Sequence, residues 1–96
     1  MPWNRISMSN DEMLAGKADK LQSEFAKIWM VLGAPPEAAM YASRAPGGKH
    51  DYFFTPGAVE IAAPVLKSFG AAECEKPGEK ETLIVLVKNE GTRAGG

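Results

Sequence analysis

Thr82-Leu83-Ile84-Val85-Leu86-Val87 is the stretch on which the fold turns. Apart from Thr82, its residues are aliphatic on both alternating sides, and branched residues at this density read as a β-strand running from Glu81 to Lys88. A strand that is apolar on both faces belongs in the middle of a sheet whose surface is shielded by helices. Residues 82–87 are therefore expected in the interior of a β-layer.

The residues just upstream, Glu73-Cys74-Glu75-Lys76, form a second short strand pattern, and Pro77-Gly78 suits the centre of a type II turn. Together they predict a closing hairpin. Further back, Ser9-Asn10-Asp11-Glu12 is a capping box: the Ser9 hydroxyl accepts from the backbone at Glu12, and the Glu12 carboxylate reaches back to Ser9. Behind it Leu14, Ala18, Leu21, Phe25, Ile28 and Leu32 recur at spacings of three and four, which predicts one helix with a single buried stripe. Gly33 and Ala34-Pro35-Pro36 end it.

Trp3 to Met8 alternates well enough for a first, half-buried strand. Residues 37–44 are compatible with strand or helix. The strand is preferred, because the turn Ala45-Pro46-Gly47-Gly48 and the β-prone Asp51-Tyr52-Phe53-Phe54 make residues 39–54 a hairpin. Thr55 and Pro56 then supply a cap and a first helical residue for a second helix, with Ala58, Ala62, Val65, Leu66 and Phe69 on its apolar side and Gly70 at its end. Pro64 inside that pattern predicts a kink.

The expected class is α+β, a two-layer sandwich. Two helices lie on one face of a mixed or antiparallel sheet, in the ferredoxin-like order β-α-β-β-α-β with an extra short strand before the last. Residues 1–90 read as one domain and residues 91–96 as a flexible tail ending in Gly95-Gly96.

Composition narrows function mainly by exclusion. With 45% hydrophobic and 24% charged residues the chain has a globular balance, and 11 basic against 12 acidic residues leave a formal charge of -1. Basic and acidic residues are interleaved, so the concentrated positive face that nucleic-acid binding needs is not expected. Cys74 is the single cysteine, Met1-Pro2-Trp3-Asn4-Arg5 lacks the apolar stretch of a signal peptide, and no apolar run reaches membrane-span length, so a cytoplasmic protein without a membrane role is expected.

Chemistry-bearing residues are sparse. Lys49-His50-Asp51-Tyr52 is the densest cluster, and His50, Tyr52 and Arg44 are the weak catalytic candidates, since a neutral-pH base is most often a histidine. Neighbouring strand residues point to opposite faces, however, so His50 and Asp51 do not form a pair by themselves. Cys74, flanked by Glu73 and Glu75, lacks the positive surroundings of a reactive thiol and is expected to point inward as a small hydrophobe. One histidine and one cysteine do not make a metal-ligand pattern, and no cofactor motif is present. Tyr52-Phe53-Phe54 lies near Gly47-Gly48-Lys49, but with the wrong spacing for an RNA-stacking strand, and Arg5-Ile6-Ser7-Met8 brings no second stacking ring. A terminal diglycine is shared with ubiquitin-like and sulfur-carrier proteins, whose element order differs from the order expected here.

What remains is apolar surface. Trp29-Met30-Val31 widens the apolar side of the first helix at its end, and with Trp3 it makes a candidate patch for a protein partner or a second copy. The favoured expectation is a small, non-catalytic interaction or assembly protein, with Trp3, Trp29 and Met30 at the contact. The competing one is a small enzyme or ligand-binding domain with a pocket at a sheet-to-sheet dimer interface.

Overall fold

The computed structural model describes residues 2–33, 37–43, 50–78 and 81–88. The elements in chain order are β1 (Trp3–Met8), α1 (Asn10–Leu14), α2 (Lys17–Leu32), β2 (Ala39–Ser43), β3 (His50–Phe54), α3 (Pro56–Ser68), β4 (Ala72–Cys74) and β5 (Leu83–Lys88). The strands form one five-stranded sheet in the order β4-β1-β3-β2-β5, with every neighbouring pair antiparallel. The class is therefore α+β.

The capping chemistry at Ser9 and Thr55 is where the sequence places it. Ser9 Oγ accepts from the Glu12 amide at 3.1 Å and the Glu12 carboxylate accepts from the Ser9 amide at 2.8 Å. Beyond this cap the chain departs from the single helix expected. It bends at Ala15-Gly16, with Gly16 at φ 82°, a left-handed conformation that favours glycine, and starts again as α2. Three helices result where two were expected, and the break takes Leu14 off the stripe and into solvent. Leu21 and Phe25 carry the burial of α2, whereas Leu32, beyond the reach of the core, is exposed. In α3 the backbone departs from helical geometry at Ala62 (φ -124°, ψ 15°), two residues before Pro64, which is the expected kink.

Register sorts the side chains of the sheet. Ile6 lies opposite Tyr52, Met40 opposite Phe54 and Ala42 opposite Tyr52, so these residues share the face on which the helices pack. Phe54 meets Phe25 edge-on with ring centroids 5.6 Å apart, and Phe25 meets Trp29 at 5.8 Å. Thr55, capping α3, joins three elements: its Oγ1 accepts from the Ala58 amide at 3.3 Å and the Ala39 amide at 3.0 Å, and donates to the Glu37 carbonyl at 2.7 Å.

The expectation for residues 82–87 is half corrected. The segment is a strand, but β5 is the outermost strand beside β2 and not a central one, and Ile84 and Val85 are partly solvated. Nor does it close a hairpin with the preceding short strand, because β4 pairs with β1 at the opposite edge. The central position belongs to β3, where Tyr52, Phe53 and Phe54 are all buried. As the final strand of the expected order, β5 is thus in a different place.

Candidate functional site

The exposed large hydrophobic residues are concentrated. Met30 (84%), Val31 (80%) and Leu32 end α2, and Ile84 and Val85 (46%) lie on β5; Leu14, at the far end of the helical layer, stands apart. Both groups lie on the β5 side of the sheet, with Val85 on the helix-free face and the end of α2 on the other. Helix α2 carries the chain from the end of β1 to the start of β2, where Ala39 and Met40 pair with Lys88 and Val87. There α2 touches β5, and Trp29, Leu86 and Val87 all pack against the core.

The two edges of the sheet contrast in their chemistry. β4 is three residues long, contains Glu73, and is followed by Glu75, Lys76 and Pro77: short length, charge and proline all discourage another strand from adding there. β5 has six residues, Leu-Ile-Val-Leu-Val-Lys, with one charge at its end. Its guard is a single irregularity. Leu83, Ile84 and Val85 face Ser43, Ala42 and Tyr41 in step, after which Val87 and Lys88 face Met40 and Ala39, so Leu86 is an extra, bulged residue. The bulge has a second effect. It puts Lys88 on the helix-free side with Leu83 and Val85, while Ile84 and Val87 face the helices.

The helix-free face is largely self-satisfied. Trp3 on β1 and Tyr41 on β2 stack at 6.0 Å although β3 runs between their strands. Their rings therefore meet over β3, where Phe53 is only 3% exposed. Cys74 lies opposite Trp3 on this face, half-buried, so it does not point into the helix-side core as expected; Glu73 has that orientation. Burial pushes the Cys74 thiol above its ordinary value, Arg5 lowers it and Glu81 raises it further. Its thiolate is disfavoured, for the reason expected from sequence in part: a carboxylate contributes, but Glu81 and not the flanking pair. Glu81 Oε2 is sheltered and has no hydrogen-bond partner among the described residues.

The expected site residues are dispersed. Trp3 is on the helix-free face and Trp29 is half-buried against Phe25 on the other, so the structure does not bring them into one patch; Met30 remains fully presented. His50 lies opposite Met8 on the helix side, with Nε2 2.8 Å from Asn10 Oδ1. Tyr52 is buried and donates to Met13 Sδ at 3.2 Å; burial, then Asp19, raises its phenol above the ordinary value. Both point away from the face on which a sheet-to-sheet pocket would form. Arg44 lies outside the described residues. Asp51, on the opposite side of the strand from His50, accepts from Ser7 Oγ at 2.7 Å.

Among the described residues no three histidine, cysteine or carboxylate side chains are grouped to hold a metal, and no helix is long and apolar enough to cross a membrane. A groove of about 610 Å³ between the α1–α2 bend and α3 is lined by Gly16, Lys17, Lys20, Glu24, Val65 and Phe69, among others. Its Lys17 is already bound to Glu12 at 2.8 Å. Sequence reading overlooked Ile84 and Val85 as edge residues and placed Leu32 in the buried stripe. Compared with known proteins, the chain matches no family model, no curated protein and no solved structure.

Proposed function

We propose that this protein is a non-catalytic assembly module that binds another protein chain through the β5 edge and the adjoining end of α2. One observation carries the reading: apolar side chains are left in solvent at the end of α2 and on the edge strand β5, while the opposite edge is blunted. An open edge has unpaired amides and carbonyls, which an extended strand satisfies, and flanking apolar side chains supply the burial that makes such pairing stable. On this reading β1 to β4 form a ferredoxin-like unit and β5 is an added strand that serves contact. The chain works in the cytoplasm, where Cys74 remains a thiol.

The test is a pair of charge insertions at exposed positions. Val31→Lys and Val85→Lys, singly and together, are expected to leave the unfolding midpoint nearly unchanged while removing the cross-links that photoreactive side chains at positions 30 and 84 form in the producing cell. If wild-type chain forms no cross-links through either position, or if both substitutions leave them intact, the reading is wrong. His50→Ala is expected to have no effect on the same cross-links.

A further inference from the structure

We infer that the connection between β4 and β5 is a releasable strap across the helix-free face of the sheet, and that the side chain of Glu81 keeps its closure weak. β4 and β5 are opposite edges of the sheet and run in the same direction. Residues 75–82 therefore join the end of one strand to the start of the other along a diagonal. Handedness selects the face. The connection from β3 to β4 moves one way across the sheet with α3 on the helical side. The connection from β4 to β5 leaves a strand of the same direction and moves the opposite way, so a right-handed path takes it over the other face. Four strand spacings and about four residues of offset along the strands make a diagonal of about 23 Å, against about 30 Å for the extended chain. A turn at Gly78–Glu81 takes up much of the slack. The midpoint of this path lies over β3 at Phe53, which explains why Phe53 is buried on a face without helices.

Little fastens the strap. Among the described residues its only hydrogen bond is internal, from the Glu81 amide to the Gly78 carbonyl at 3.2 Å. Glu75, Lys76, Gly78 and Thr82 are exposed, and Pro77 is the one apolar side chain in residues 75–82. Glu81 opposes closure. Its Oε2 is shut off from solvent without a hydrogen-bond donor, and a sheltered carboxylate oxygen in that state is less stable than the same group in water. Glu81 and Arg5 both act on the Cys74 thiol, opposite Trp3, yet among the described residues the two make no ion pair. Lifting the strap returns Glu81 to water and bares the Trp3–Tyr41 stack, Phe53 and the only thiol of the chain. The cover thus carries its own counter-force.

The experiment follows alkylation of Cys74 by iodoacetamide in the folded, purified full chain, comparing wild type with Glu81→Met and with a chain whose strap is doubled in length by Gly and Ser residues after Gly78. Methionine fills similar space without charge, so closure tightens and alkylation is expected to slow by roughly 10-fold, the cost of one orphaned polar group. Loss of the carboxylate by itself makes the thiol more acidic and the reaction faster, so slowing runs against the thiol chemistry and reports access. Doubling the strap is expected to speed alkylation by about 3-fold, the closure entropy of the longer loop, with circular dichroism like that of the wild type. Faster alkylation in Glu81→Met, or a rate that the longer strap leaves unchanged, overturns the proposal. Loss of the folded spectrum in Glu81→Met also overturns it, since Glu81 then holds the fold instead of straining it.

Discussion

Replacing Thr55 by valine removes one oxygen from the best-connected polar group in the molecule while keeping its branched shape. A hydroxyl has one proton and two acceptor sites, and Thr55 Oγ1 uses all three, taking the Ala58 and Ala39 amides and donating to the Glu37 carbonyl. Loss of the cap to Ala58 costs about 1 kcal/mol. Ala39 is buried, so its orphaned amide adds about 1–3 kcal/mol. Glu37 is exposed and its carbonyl turns to water at little cost. The sum, about 2–4 kcal/mol, is a large share of the stability of a domain this size and corresponds to a fall of about 10–25 °C in Tm. Thr55→Ser keeps the oxygen and loses one methyl group, roughly 1 kcal/mol. Thermal and urea unfolding followed by circular dichroism separate the two variants. If valine is tolerated as well as serine, the hydrogen bonds of Thr55 do not hold β2, β3 and α3 together, and the reasoning fails.

Three further outcomes are expected from the same packing. At Gly57 an added Cβ would stand 3.2 Å from the Ala38 amide nitrogen, and Ala38 is fully buried, so Gly57→Ala is expected to cost roughly 1–3 kcal/mol in urea unfolding despite alanine's better helix propensity. Gly16→Ala meets no neighbour within 4 Å, so its loss of roughly 1–2 kcal/mol in the same measurement comes from the left-handed backbone alone, and Gly16→Asn is expected to be milder. The Glu12 carboxyl is held below its ordinary value of 4.5 by the Lys17 ammonium and then by the Ser9 amide. Because its folded-state pKa is depressed, its contribution is present above 4.5 and is lost as pH falls through the lower folded value. Melts from pH 6 downward should therefore show a shallower acid decline for Glu12→Gln than for wild type; identical slopes would remove Glu12 from the acid response.

How much was legible depends on the range over which each feature is decided. The capping box at Ser9, the Thr55-Pro56 start of α3, the disturbance around Pro64 and the strand character of Trp3–Met8, Ala39–Ser43, His50–Phe54 and Leu83–Lys88 are written in adjacent residues. These features depend on hydrogen bonds and ring sterics within one or two turns of chain, and sequence reading finds them there. Even locally it missed Gly16, because an amphipathic stripe continues in register across a bend that takes only one left-handed residue.

The rest was decided in three dimensions. Alternation tells which faces of a strand are apolar, but not what covers them: helix, neighbouring ring, second chain or water. Leu83–Lys88 therefore reads as a central strand although it is an edge, and alternation does not show that Trp3 and Tyr41 close over Phe53. The lateral order of strands is set by where the crossing helices return the chain, which no short window records. By itself the sequence determined the class and the capped starts of α1 and α3. Only the folded sheet decided that β4 and β5 are the two edges among the described residues, because an edge exists only once every other strand has found its neighbour.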